Sequence, residues 1–425
     1  MANAQILKEK LSNGGYAERL KYMYADSDGK RYAQRYIDVI DGFIETFGEG
    51  DDIRLFSAPG RTEIGGNHTD HQHGCVLAAS VNLDVIAAVS RNDSGKIRIK
   101  SEGYDMDVID LSDLSVKKER FNCASELIRG IAAKFTEMGY EITGFDAYTT
   151  SNVLKGSGLS SSAAFEVIVG TIINTLFASS EISAVEIAQI GQYAENEYFG
   201  KPCGLMDQTA SSVGGIVAID FNDTKNPKVE KIDYDFVKTE YALCIIDSGA
   251  DHAELTDEYA SIPAEMKKAA GVFGCDYLRE IDKREFLKKA SEVRKTAGDR
   301  AFLRAMHFFA DNENAQKEVE MLKNDNFDGF LDTVKKSGYS SYMYLQNIYA
   351  PRFPDNQAVA AALCIAEDVL NGRGAYRVHG GGFAGTIQAF VPMDMIDEFV
   401  SGVENVVGRG NCHILSIRPV GGTEL

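Results

Sequence analysis

The sequence predicts a mixed α+β protein of two domains, and three observations predict it. The chain has 425 residues, and one compact domain usually takes roughly 100–200. Apolar residues recur with a helical period in some stretches and as alternating or unbroken runs in others, along the whole chain. That is the pattern of helices and strands mixed in one fold. A turn-rich segment, 222–229, with Pro227 inside it, divides the chain near its middle. The expected domains are therefore 1–225 and 226–425.

The elements follow in order. Residues 1–50 read as helical, most clearly where Tyr32, Tyr36, Ile37, Ile40, Phe43, Ile44 and Phe47 share one helical face. Gly-Glu-Gly-Asp-Asp at 48–52 stops that helix. A strand is expected over 53–58, a Gly/His-rich loop over 58–71, and a buried strand in the apolar run 75–90. Residues 96–110 read as strands, 123–138 as a helix and 148–154 as extended chain. A Gly/Ser loop then leads into a helix over 163–177, followed by another over 183–198. Buried strands are expected at 214–221 and 241–248. Residues 255–345 are mostly helical, and so is 358–370. Short strands at 376–378 and 386–391 flank a Gly-rich turn. A helix over 394–403 and a strand over 413–419 close the pattern.

Composition narrows the function. Forty-four basic residues stand against 63 acidic ones, a net charge of −19. This argues against non-specific nucleic-acid binding, which needs clustered Lys and Arg, and against an anionic membrane surface. The seven Cys are spread too widely for a CxxC or zinc knuckle, so reduced thiols in a cytoplasmic, soluble protein are expected. No apolar window approaches the roughly 20 residues that span a bilayer.

Three loops carry chemistry. The first is Gly156-Ser157-Gly158-Leu159-Ser160-Ser161-Ser162-Ala163-Ala164, entered by a strand and left by a helix. Glycines allow close backbone approach, and the helix N-terminus offers unpaired N–H groups and partial positive charge, which suits phosphate. It is not a Walker A loop, because GxxxxGK[ST] is absent. The second, 58–70, gathers Arg61, Glu63, Asn67, His68 and Asp70. That density of hydrogen-bonding groups suits a polyhydroxylated ligand, and Arg61 suits developing negative charge. His68, His71 and His73 share no fixed face, so metal ligation is disfavoured. The third runs from Glu195 to Gln208, where Asp207 follows a Pro/Gly turn beside Leu205 and Met206. It is a candidate general base. A glycine-dense turn at 380–385 is a fourth element, suited to close packing against a phosphate or another backbone.

Together these motifs resemble the GHMP family of small-molecule kinases, and within it the galactokinases. Gly60-Arg61-Thr62-Glu63-Ile64-Gly65-Gly66-Asn67-His68-Thr69-Asp70-His71 is similar to the signature GRxNxIGEHTDY. Residues 154–164 resemble the family's PxGxGLSSSAA loop, 380–385 its GGGFGG turn, and 202–208 the galactokinase run PCGIMDQ. The resemblance implies an N-terminal ribosomal-protein-S5-like α/β domain and a C-terminal ferredoxin-like domain, with the site between them. It implies transfer of the γ-phosphoryl of MgATP to the C1 hydroxyl of a sugar, galactose above all. Asp207 would be the base and Arg61 the stabiliser of the transferring group. Gly156, Ser157, Gly158, Leu159, Ser160, Ser161 and Ser162 would hold ATP, with Ser162 and Glu195 on Mg²⁺. Asn67, His68, Asp70, Gly204 and Tyr259 would hold the sugar. The expected partners are the sugar and MgATP alone, and the expected state is a monomer.

The signature is not kept throughout. Galactokinases carry Glu where Asn67 stands, facing the sugar's C6 hydroxyl. Glu63 replaces the usual Asn, Gly65 the usual Ile, and His71 the usual Tyr. A neutral Asn67 no longer repels a carboxylate at C6, which admits galacturonate; L-arabinose, which lacks C6, and N-acetylgalactosamine are further alternative substrates. Non-catalytic sugar sensors of this kind lose the Ser-Ala pair of the phosphate loop, whereas Ser162-Ala163-Ala164 is intact. Mevalonate and homoserine kinases lack the HTD and CGxMDQ runs.

Overall fold

The computed structural model describes residues 3–50, 52–154, 158–201, 203–249, 255–383 and 385–425. Of the expected ATP-binding positions, Gly156 and Ser157 lie outside the described residues, as do Pro202 of the Asp207 turn and Ala384 of the Gly-rich turn.

Three helices open the chain, α1 (Asn3–Ser12), α2 (Ala17–Tyr24) and α3 (Ala33–Phe47). The first domain continues with β1 (Arg54–Gly65), β2 (Cys75–Arg91), β3 (Lys96–Ser101), β4 (Met106–Asp110), α4 (Ala124–Glu137), β5 (Phe145–Ser151), α5 (Ser161–Phe177), α6 (Ala184–Tyr193), α7 (Met206–Val213), β6 (Ile216–Asp220) and β7 (Lys228–Ile232). The second holds β8 (Tyr241–Asp247), α8 (Thr256–Gly271), α9 (Lys283–Lys288), α10 (Ala290–Thr296), α11 (Asp299–Lys323), α12 (Phe327–Ser340), α13 (Ala358–Leu370), β9 (Ala375–Val378), β10 (Thr386–Pro392), α14 (Ile396–Val407) and β11 (Cys412–Leu415). A final strand, β12 (Thr423–Glu424), returns to the first domain and pairs with β1.

Among the described residues the first sheet runs β12-β1-β2-β5-β3-β4, and β6 joins it through β2 and carries β7. The second runs β11-β8-β10-β9. β8 shows how the second sheet is covered. Leu243 and Ile245 face a core shared with the first sheet, while Cys244 and Ile246 face α13 and α14. That is the period of two expected of a strand buried on both faces.

Two features differ from the sequence reading. β1 does not end at Ala58 but runs to Gly65, so the first half of the expected sugar loop is strand. Pro59 and Gly60 read as loop signals, yet they sit at a bulge, where the register against β2 shifts between Pro59 and Arg61. A second shift lies between Glu63 and Gly65. The expected cut at 225/226 falls inside a hairpin, because β7 pairs with β6. Pro227 and its neighbours form only the turn of that hairpin, and the first sheet extends to Ile232.

The first domain is tied together by one buried carboxylate. Asp84 on β2 accepts from Tyr24 Oη and Ser57 Oγ, both at 2.6 Å, from Arg35 Nη1 at 2.7 Å and from Arg418 Nη1 at 3.0 Å. Burial raises its pKa, but the two guanidiniums and two hydroxyls outweigh burial and hold it below the usual carboxylate range.

Candidate functional site

The β1 bulge places Arg61. Ser211 Oγ on α7 donates to Pro59 O at 2.6 Å, and the Arg61 N–H donates to Leu159 O at 3.0 Å. The bulge is thus fastened to α7 on one side and to the phosphate loop on the other. From there Arg61 Nε and Nη2 reach Asp207 Oδ1 at 2.8 and 2.7 Å, and Nη1 donates to Gly158 O. Arg61 and Asp207, 146 positions apart in sequence, form a charge-assisted pair at the mouth of the loop.

Asp207 lies in the first turn of α7, where negative charge is favoured by the helix dipole. Its Oδ2 accepts from Ser160 Oγ at 2.7 Å. Ser160 holds φ +53°, ψ +68° immediately before α5. A non-glycine residue in this left-handed region is strained, and such strain collects at functional sites. Burial raises the Asp207 pKa, but the Arg61 charge, then the Ser160 and Arg61 hydrogen bonds, hold it below the usual carboxylate range. Asp207 is therefore ionised at neutral pH. Leu159 is fully buried beneath the loop, and Ser162 is exposed in the first turn of α5.

Behind Asp207 lies a carboxylate pair. Read alone, Glu195 resembles a surface helix residue. It is instead buried, in a π-helical segment (Ala194–Phe199) that continues α6. Gln208 Nε2 donates to Glu195 Oε2 and to Glu166 Oε2, both at 2.9 Å, and Lys201 Nζ lies 3.5 Å from Glu195 Oε1. Burial and then the Glu195 charge hold Glu166 well above the usual carboxylate range. Among the described residues, Glu166 Oε1 is buried without a hydrogen-bond partner. The sequence reading missed Glu166 and left Gln208 outside the site. The signal for Glu166 was present: it is the lone charged residue in the apolar helix α5.

The positions expected to hold the sugar lie near one another and near the Gly-rich turn. Asp70 and Gly204 abut, since a Cβ on Gly204 would lie 2.7 Å from Asp70 Oδ2. Glycine at this position leaves the carboxylate room to approach. His68 Nε2 lies 3.1 Å from Gly381 O, and Tyr259 Oη donates to Gly382 O at 2.9 Å. Burial, then the neighbouring His71, bring the His68 pKa down to about 4, so its imidazole is neutral. Asn67 is brought to the same turn but has no accessible surface. His71 is exposed, and His73 stacks on Tyr277 with ring centroids 3.6 Å apart. No group of three or more His, Cys, Asp or Glu side chains among the described residues is arranged to hold a metal. No helix among them is long and apolar enough to cross a membrane.

Comparison with known proteins bears on the family and the fold. Residues 126–215 match the model of the GHMP kinases N terminal domain, and residues 41–91 match the galactokinase galactose-binding signature. The galactokinase of Streptomyces coelicolor is 30% identical over 355 residues, covering 83% of this chain and 88% of its own. That of Actinobacillus pleuropneumoniae is 31% identical over 345 residues, covering 80% and 85%. In fold, the chain is similar to Lactococcus lactis galactokinase complexed with galactose, with a TM-score of 0.76 at 24% identity, covering 91% of this chain and 98% of that one. A mevalonate kinase shares the fold at a TM-score of 0.58 and 16% identity, covering 85% and 99%. Two-domain architecture, the bulge that joins Arg61 to Asp207, and relatives matched over most of their length converge: the chain belongs to the galactokinase family of GHMP kinases.

Proposed function

We propose that the chain is an ATP-dependent sugar-1-kinase that transfers the γ-phosphoryl of ATP to the C1 hydroxyl of galactose, giving galactose 1-phosphate and ADP. The observation that carries this reading is the Arg61–Asp207–Ser160 cluster set against the N-terminus of α5. Phosphoryl transfer needs positioning and charge neutralisation more than covalent help from the protein. The new bond joins the sugar oxygen to the γ-phosphorus, the bond from that phosphorus to the β-bridging oxygen breaks, and the hydroxyl proton passes to Asp207. A carboxylate held low by Arg61 is a weak base. Asp207 therefore orients the hydroxyl first and takes the proton as the new bond forms, while Arg61 steadies the negative charge. His68, Asp70, Gly204 and Tyr259 hold the sugar. The working form is a cytoplasmic monomer acting on small molecules alone.

Mg²⁺ would arrive with the phosphates, and Glu195 offers it a carboxylate and Ser162 a hydroxyl. Hard oxygen donors suit it, and it usually takes one or two carboxylates plus substrate phosphates rather than a full protein cage. Glu195 and Ser162 would hold it, and when bound it neutralises phosphate charge. Glu195→Gln is expected to raise the Mg²⁺ concentration needed for nucleotide binding by about 10–100-fold, read from titration of a fluorescent ATP analogue. An unchanged requirement removes Glu195 from the metal.

A coupled ADP-release assay over galactose, N-acetylgalactosamine, galacturonate, L-arabinose, 2-deoxygalactose, glucose and mevalonate tests the whole reading. Galactose should give the highest kcat/KM. No turnover of any sugar despite nucleotide binding would overturn it in favour of a sensor.

The acid side of the pH profile follows from Asp207. Its lowered pKa means that the ionised form, and hence activity, persists above the usual carboxylate value and is lost only as pH falls through a lower one. In Arg61→Gln the raising effect of burial loses its main opponent. The acid limb should then move to higher pH, while kcat falls by about 10²–10³. An acid limb that stays in place would show that another group sets it.

A further inference from the structure

Three of the departures from the galactokinase signature, at Glu63, Gly65 and Asn67, meet in one buried network between the domains. Glu63 Oε1 accepts from Arg377 Nη2 at 2.6 Å and from Asn67 Nδ2 at 2.9 Å. Arg377, on β9, is fully buried and also donates to Ile64 O at 2.5 Å and Val378 O at 3.0 Å. At Gly65 a Cβ would lie 1.8 Å from Glu318 Oε2 on α11, so the carboxyl occupies space that any side chain would fill. Burial holds Glu318 well above the usual carboxylate range. Burial thus favours its neutral form over a second charge beside Glu63.

Asn67 is the centre of the network. Its Nδ2 donates to Glu63 Oε1 and, at 2.7 Å, to Gly380 O. Its Oδ1 accepts from Asn347 Nδ2 at 2.9 Å. Its backbone N–H donates to Asp311 Oδ2 at 2.7 Å, and its carbonyl accepts from His307 Nε2 at 2.9 Å. A side-chain amide has two N–H donors, and both are used inside the protein. Offering one to a sugar hydroxyl would break a buried hydrogen bond. Gly380 opens the Gly-rich turn, and the turn packs on the phosphate loop: His379 Nδ1 lies 3.0 Å from where a Cβ on Gly158 would stand.

We propose that Asn67 is a positioning residue that latches the sugar loop to the Gly-rich turn and so to the phosphate loop, and that it does not read the C6 hydroxyl. The proposal rests on the sugar-kinase reading above, and under it discrimination at C6 does not run through Asn67. The exchanged pair, Glu63 with Asn67, keeps one carboxylate in the network but pairs it with Arg377 of the second domain.

Two measurements test it. Asn67→Asp is isosteric but replaces donors with an acceptor facing Glu63 Oε1 and Gly380 O. Hydrogen–deuterium exchange should quicken by about tenfold or more at residues 62–70 and 377–383 together, with β2 and β5 unchanged. Unchanged exchange at 377–383 overturns the latch. Asn67→Ser, neutral and smaller, gives the same readout if the Asp variant does not fold. In the second measurement, kcat/KM for galactose and for 6-deoxygalactose is compared in wild type and Asn67→Ala. The ratio should agree within about threefold while kcat falls for both sugars by about tenfold. A ratio that drops tenfold or more in Asn67→Ala shows that Asn67 reads the hydroxyl, and overturns the proposal. If wild type turns over no sugar, the kinase reading fails and the exchange result still decides the latch.

Discussion

Asp207→Asn should fold normally and lose about 10²–10⁴ in kcat, the range of a positioned acid–base group. The amide oxygen can still accept from Arg61 and the side chain still fits beside Ser160, so geometry changes little. What disappears is the ability to take the hydroxyl proton and the charge opposite Arg61. KM for the sugar should therefore move much less than kcat. Ser160→Ala isolates the orienting hydrogen bond, worth about 1.5–3 kcal/mol when one partner is charged; its loss should be smaller than that of Asp207→Asn. Steady-state kinetics alongside thermal melting separates the outcomes. A kcat within tenfold of wild type in Asp207→Asn would show that Asp207 only orients and that the proton leaves by another route.

The largest effect on stability is expected at Asp84→Ala. Asp84 and Arg418 have no accessible surface, and Arg35 is paired to the same carboxylate. Removing the carboxylate leaves a fully buried guanidinium without its counter-charge, which typically costs about 3–5 kcal/mol. Tyr24 and Ser57 lose an acceptor as well. Because the Asp84 pKa is depressed in the fold, its stabilisation is present above the ordinary Asp value and fades as pH falls through the lower folded value. The mutant should accordingly show a flatter acid limb of stability. Urea denaturation across pH measures both. A loss below about 1 kcal/mol would mean that the two arginines find other acceptors.

The sequence was most legible where a pattern is local and repeated. α3 shows its buried face in Tyr36, Val39, Ile40 and Phe43, and β2 is an almost unbroken apolar run because it is covered on both sides. The motifs singled out Arg61, Asp207 and the Gly/Ser loop before α5 without reference to packing. Legibility failed where distant segments decide the outcome. Pro59, Gly60 and Gly65 carry loop chemistry, yet pairing with β2 absorbs them as bulges. The turn at Asn222 and Pro227 is equally strong locally, but only the β6–β7 register shows that it joins strands of one sheet. Glu195 has no local sign of burial, because the residues that cover it come from α5 and α7. Asn67 could be seen as a departure, but apart from Glu63 its partners lie some 240–310 positions away.

The return of the last residues to the first domain has a consequence for synthesis. Arg418 caps the Asp84 network, and β12 pairs with the outer side of β1. Residues 1–232 therefore leave the ribosome with an anionic carboxylate lacking one of its two arginines and with β1 uncovered at an edge. They stay so while the intervening second domain is translated, on the order of ten seconds or more at roughly 5–20 residues per second. An uncovered edge strand is a template for pairing with another chain. A polysome-bound fragment ending before Arg418 should be more prone to aggregate than the finished chain.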